Sequence, residues 1–324
     1  MSLAAPDIHP AISAEAERLL QAPGCLADHQ AVTARGTAAE RLAFHALSRR
    51  LAPAADAGRR RLLESLAKEP SPLDGLNVDR GSGILLTDQG DWPPVAAAVE
   101  EARACFADTR RAGGSNPGKL FMTTAKLPRA LDSKVMALAR HPAVLRLVGA
   151  YLEGLPILYR INLLDSANEA LQPDSSQFFH LDPEDFRQLK IFLLVEDVDA
   201  ETGPLHLLSA KASDAVRVAV GHRHGRVADE VVMAHARHGD VVACTGAAGT
   251  LAIGDTSRCF HFGSRPGRRP RQVVMLQYLS AFASMFPLAA ESCGSKYAAA
   301  VRQRADAAGR DVPELEACLF GLSR

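Results

Sequence analysis

What this chain lacks narrows it first. It has no net charge: 37 Lys plus Arg stand against 37 Asp plus Glu in 324 residues. Affinity for a phosphate backbone comes mainly from clustered positive charge, so a balanced chain is not expected to bind nucleic acid. It has no C-x-x-C pair. The six cysteines, Cys25, Cys105, Cys244, Cys259, Cys293 and Cys318, are scattered, which argues for reduced thiols and against zinc or redox chemistry built on them. Its start carries no basic segment followed by an apolar run, so no signal peptide is expected. It also lacks a membrane-length apolar stretch: the longest uncharged segment, 272–290, holds two Gln, two Ser and Pro287 and reads as a strand and a loop. There is no internal repeat and no low-complexity tract. A cytoplasmic enzyme or binding protein is expected. With 47% hydrophobic residues it can bury one main core with an appended piece.

What is present falls into two characters. Over residues 11–68 Ala, Leu, Glu and Arg dominate, and Leu42, Phe44 and Leu47, then Leu62, Leu63 and Leu66, recur at helical spacing, with Pro53 as a break. Further helices are expected over 94–111 and 142–152, each opened by a proline. After Pro156 short apolar runs are separated by Gly, Pro and Asp: PILYRINLL, LKIFLLVEDV, PLHLL, EVVMAH, DVVAC, TLAIG and RQVVMLQYL. Short strands at such spacing predict an antiparallel sandwich or jelly roll, not alternating β and α units. Helical composition returns after Ser295. The expected class is α+β with a mainly β core. Residues 1–75 would form a helical extension, 76–290 the β domain with supporting helices, and 291–324 C-terminal helices packed on it.

Two tempting clusters read as loops. Gly113 to Lys119, GGSNPGK, matches the core of a phosphate loop, but Leu120 stands where a Mg²⁺-binding Ser or Thr is needed and a helix precedes it instead of a strand. His222, His224, His235 and His238 lie close together without a carboxylate or Cys at ligand spacing, which suits a solvated connection.

The segment SSQFFHLDPEDF carries chemistry. His180 and Asp182 are two residues apart in a chain that Phe178 and Phe179 favour as extended, so both side chains project from one strand face and can point at one ion. A hydrogen-bonded surface pair has the same spacing. His261, in a β-like run ending in glycine, is the candidate third ligand. Two His and one carboxylate leave three open positions, which suits non-haem Fe(II) with a cosubstrate and O₂, whereas zinc normally leaves one or none. Ten residues on, Arg271 heads the last apolar strand, and its rigid fork fits the distal carboxylate of 2-oxoglutarate. Arg269, on the same strand face, is a rival for that role. Gln177, Asn162 and Arg160 are candidates to hydrogen-bond the cosubstrate. Between Arg258 and Arg271 there are five arginines and no acidic residue, a basic stretch that reads either as a solvated loop or as an attractor for an anionic substrate.

These residues resemble the phytanoyl-CoA dioxygenase family of Fe(II)- and 2-oxoglutarate-dependent oxygenases over roughly residues 155–280. The resemblance rests on His180-Leu181-Asp182, the strand KIFLLVEDVD followed by Thr202-Gly203-Pro204-Leu205, Gly249-Thr250 leading through Asp255 to His261, and Arg271. It implies a double-stranded β-helix, a cupin-like jelly-roll barrel, with His180, Asp182 and His261 binding iron and Arg271 holding the C5 carboxylate of 2-oxoglutarate. It implies hydroxylation of a small-molecule substrate with release of succinate and CO₂, and the carboxylate of Asp182 fills the position that a halide would need. The chain departs from the family at Leu208-Ser209-Ala210-Lys211, where Pro-Gly-Ser-His is usual, and over its first 75 residues. Other expectations are a cupin-like metal enzyme without 2-oxoglutarate and a non-catalytic binding protein. The N-terminal helices would either cover the barrel mouth or form a homo-oligomer surface.

Overall fold

The last apolar strand organises the molecule. All nine of its residues, Arg271–Leu279, are buried, because a layer packs on each of its faces. Period-2 alternation is therefore present in space while the sequence reads as a continuous apolar run. Val274, Leu276 and Tyr278 turn toward helices. Val273 turns the other way, into a cluster with Leu194 and Val198. Buried Tyr278 keeps its hydroxyl satisfied by donating to the carbonyl of Ala139 at 2.9 Å.

The computed structural model describes residues 5–111, 122–168, 175–288 and 290–323. The phosphate-loop-like segment Gly113 to Lys119 lies outside them. The helices are α1 (Pro10–Leu19), α2 (His29–Arg35), α3 (Ala38–Leu51), α4 (Pro53–Glu64), α5 (Pro93–Arg111), α6 (Lys134–Ala139), α7 (Pro142–Leu152), α8 (Ala210–Val220), α9 (Asp229–Met233), α10 (Ala298–Ala307) and α11 (Glu314–Leu319). The strands are β1 (Ile84–Asp88), β2 (Met122–Ala125), β3 (Ile157–Ser166), β4 (Phe179–His180), β5 (Gln188–Leu194), β6 (Leu205–Leu208), β7 (Arg226–Val227), β8 (Val241–Cys244), β9 (Thr250–Gly254), β10 (His261–Phe262) and β11 (Arg271–Leu279).

The strands form two antiparallel sheets, in the orders β1-β9-β5-β11-β3-β2 and β7-β4-β10-β6-β8. The chain crosses repeatedly from one to the other, so their inner faces share side chains: Leu205 and Leu207 of the smaller sheet pack with Ala252 of the larger. At Gly254 a side chain would come within 2.8 Å of a Leu207 methyl and would have to push it aside where the sheets approach. Apart from one isolated bridge, Val198 to Gly246, no ladder joins the sheet edges among the described residues. The pair is an open sandwich, not the closed barrel expected.

Helices cover both outer faces. The helix α5 and the pair α6–α7 bury Leu189, Ile191 and Leu193 of β5. Helices α8 and α9 cover Phe179, Leu208 and Phe262. Helices α1 to α3 hold an apolar cluster around Leu42 and Phe44 that also takes in Phe186. One expectation changes. EVVMAH is not a strand: α9 forms there, with Asp229 and Glu230 in its first turn complementing the helix dipole, Val232 buried and Val231 exposed. In Leu208-Ser209-Ala210-Lys211, β6 ends at Leu208 and α8 begins, with the Ser209 hydroxyl accepting from Ala212 N–H as its cap.

Candidate metal centre

The site lies between the sheets and starts from a cross-strand pair. β4 and β10 are antiparallel neighbours with His180 directly opposite His261, which puts the imidazoles 4.2 Å apart between ring centroids. Asp182 is held two residues on by its backbone N–H, which donates to Thr256 O at 2.9 Å. The ligand atoms of His180, Asp182 and His261 all lie within 4.8 Å of one another, and no other group of this kind occurs among the described residues. His222, His224, His235 and His238 do not converge.

Each histidine is oriented the same way. His180 Nδ1 donates to Phe178 O at 2.8 Å, and His261 Nδ1 to Cys259 O at 3.0 Å. The proton therefore sits on Nδ1 and the Nε2 lone pair faces the centre, the tautomer that binds a metal. Burial lowers the pKa of His180. For His261, burial and the neighbouring His180 ring push the value down to about 3. Both imidazoles are neutral at pH 7. Burial alone would raise Asp182, but the Lys190 ammonium and the two histidines hold its carboxyl well below the usual range. The donor set is two neutral nitrogens and one carboxylate, which fits a divalent first-row metal with open positions.

Lys190 is a residue the sequence reading quoted without a role. Its Nζ donates to Asp182 Oδ2 at 2.7 Å from the neighbouring sheet. The signal was a lone charge inside an apolar strand, QLKIFLL.

The five arginines behave unequally. Arg258, wholly buried, pairs with Asp214 and Asp7. Arg265 forms a two-pronged pair with Asp229 and lies 3.3 Å over the Phe262 ring. Arg268 pairs with Glu201, and Arg269 with Asp199 on the surface. The basic stretch is thus neutralised by carboxylates from distant parts of the chain, which removes the argument for an anionic substrate drawn from it. Arg269 is turned away to Asp199.

Arg271 is the exception. It is buried and forms no ion pair among the described residues. Its Nη2 donates to Ser264 Oγ at 3.0 Å, while its Nε is buried without a partner. A side chain at Gly263 would come within 3.1 Å of the guanidinium, so glycine leaves it room. Burial lowers its pKa to about 10, which still leaves it charged at neutral pH. A buried cation without a counter-ion is costly unless an anion joins it.

Gln177 is buried and donates through Nε2 to Ser264 O at 2.5 Å, so it frames the residue that holds Arg271. Ser264, with a left-handed φ of 58°, also shares a hydrogen bond with Ser166 at 2.7 Å. Neither serine was read from the sequence. Asn162 sits on β3 opposite Met275 of β11. It faces the space between the sheets, since its neighbours Ile161 and Leu163 pack on the helical side. Arg160 stands opposite Gln277, next to a register shift, and its guanidinium lies 3.9 Å from Glu184.

No protein-family model matches the chain, and no curated protein matches it. Among solved structures, the chain is similar to the carbocyclase SnoK from nogalamycin biosynthesis, described as non-heme and alpha ketoglutarate dependent. That match has 15% identity and a TM-score of 0.45, and covers 66% of this chain and 88% of the other. It is also similar to EctD from S. alaskensis, solved with 2-oxoglutarate and 5-hydroxyectoine (16% identity, TM-score 0.42, 62% of this chain and 73% of the other). A third is the epimerase SnoN, solved with Fe³⁺, alpha ketoglutarate and nogalamycin RO (21% identity, TM-score 0.40, 71% and 86%).

Proposed function

We propose that the chain is an Fe(II)- and 2-oxoglutarate-dependent dioxygenase that hydroxylates a C–H bond of a small molecule, on a double-stranded β-helix core. One observation carries the reading: Arg271, buried and with no ion pair among the described residues, lies against Gly263, two residues on from His261, while His180, Asp182 and His261 converge. A metal site alone has no use for such an arginine. A keto diacid that chelates the metal through one end and needs an anchor at the other has.

In this reading His180 and His261 bind iron through Nε2, and Asp182 completes the face. Bound iron with 2-oxoglutarate and O₂ would supply the oxidation, in which one oxygen atom enters succinate, the other enters the substrate, and CO₂ leaves. The carbonyls of Phe178 and Cys259 fix both imidazoles in advance, so no proton has to move before they bind. Lys190 holds one oxygen of Asp182 and so fixes how the carboxylate is presented. Arg271, supported by Ser264, binds the distal carboxylate, and Gln177 holds Ser264 in place. Asn162 lines the space in which the cosubstrate or substrate would lie.

Anaerobic protein given Fe(II) and 2-oxoglutarate should develop the visible charge-transfer absorption of a chelated keto acid, and His180→Ala should abolish it. A parent protein that stays colourless while still binding Fe(II) would favour a cupin-like metal enzyme that does not use 2-oxoglutarate.

A further inference from the structure

A cavity lies on the outer side of the segment that leads into β5. Side chains alternate there. Gln188 turns inward, donating to Ser257 Oγ at 2.8 Å, while Arg187 turns outward to Asp7 and Glu153. The outward side opens into a cavity of about 320 Å³ between α3, α4 and the end of α7. That volume is at the lower end of small-ligand sites, which run from about 300 to 1,000 Å³. None of its lining residues belongs to the metal centre.

Charge in the lining is unbalanced. Arg49, Arg50, Arg60, Arg80 and Arg187 face it, against two carboxylates, Asp56 and Glu153. Those two are shared: Arg49 and Arg60 bind Asp56, while Arg49, Arg80 and Arg187 bind Glu153. Arg50 makes no ion pair among the described residues, and Arg187 Nε is buried without a partner. Burial alone would raise Glu153, yet its bonds to Arg49 and Arg80 hold it at about 2. The floor is apolar, formed by Ile8, Leu42 and Phe186.

We propose that this cavity is a second ligand site, for a small organic molecule with an apolar body and a doubly charged head, a phosphate monoester or a dicarboxylate. The arginine forks match either head, and a ring-sized body covers the apolar floor. The proposal is independent of the metal reading, because it uses none of those residues.

The test is isothermal titration of the full chain with phenyl phosphate, phthalate and inorganic phosphate. At least one of the two aromatic dianions should bind one to one, and whichever binds identifies the head. Arg50→Gln with Arg60→Gln, both at solvent-accessible side chains, should weaken that binding about tenfold. Arg271→Gln, outside this cavity, should leave it unchanged. Failure of both aromatic dianions to bind would overturn the proposal, as would indifference to the double variant or loss in Arg271→Gln. Equal affinity for inorganic phosphate would overturn the apolar part of the ligand class.

Discussion

The ammonium of Lys190 sits 2.7 Å from the carboxylate of Asp182, reaching across from one sheet to the other. Both side chains are largely buried, at 11% and 14% exposure, so the contact is a buried ion pair in which each charge depends on the other. Removing one partner from such a pair leaves an uncompensated charge, at a cost of about 3–5 kcal/mol when burial is complete. Lys190→Met should therefore lower the stability of the metal-free protein by about 2–3 kcal/mol, discounted for the residual exposure. Added Mn(II) should recover part of that loss by supplying another cation. Urea denaturation with and without Mn(II) checks both halves.

Arg271 and Arg269 lie two residues apart and have opposite partners. Arg269 is half exposed with Asp199, whereas Arg271 is buried beside Ser264. Arg271→Gln should weaken 2-oxoglutarate binding by about 2 kcal/mol or more, on the order of 30-fold. Arg269→Gln should leave it within about twofold, as is usual for an exposed pair. Titration of the charge-transfer band with 2-oxoglutarate distinguishes them, and equal losses would reassign the anchor.

His261 makes the metal-free protein acid-sensitive. Burial lowers its folded pKa to about 3, while an unfolded histidine titrates near 6.5. Between those values the unfolded chain binds the extra proton and the folded one does not. Stability is therefore full above about pH 6.5 and falls as pH drops toward 3, by at most about 1.4 kcal/mol per pH unit from this group. Denaturation midpoints at pH 7 and pH 5 should differ more in the parent than in His261→Gln.

Arg258 should matter for folding and not for ligand binding. Its guanidinium is wholly out of solvent, and its partner Asp214 is nearly so. Arg258→Met should cost about 2–3 kcal/mol of stability, less than a full orphaning, because Asp214 keeps Arg217 and Asp7 keeps Arg187. The protein that remains folded should bind 2-oxoglutarate as tightly as the parent, measured by titration below the melting transition.

Much of the framework was legible locally. Runs such as PILYRINLL and RQVVMLQYL are β3 and β11 because apolar residues at strand length between turn residues have few other ways to be buried. The segment EVVMAH misled, since β-branched residues favour a strand. Asp229, however, is engaged by Arg265 and its acidic turn suits a helix start, so context overrode propensity. Helix α8 was missed because its cap, Ser209, follows a strand directly and leaves no loop to announce it.

The sequence carries the order of His180, Asp182, His261 and Arg271, whereas the strand expected to align the first two ends at His180, and Asp182 is held at the site by its N–H bond to Thr256 O. Which charges remain free depends on the fold. Asp7, Asp214, Asp229, Glu201 and Asp199 come from separate parts of the chain to neutralise four arginines of one short stretch, and Lys190 comes from the facing sheet to Asp182. Ion pairing depends on distance through space and on burial, neither of which can be read along the chain. That is why, among the described residues, one buried arginine of the five, Arg271, forms no ion pair.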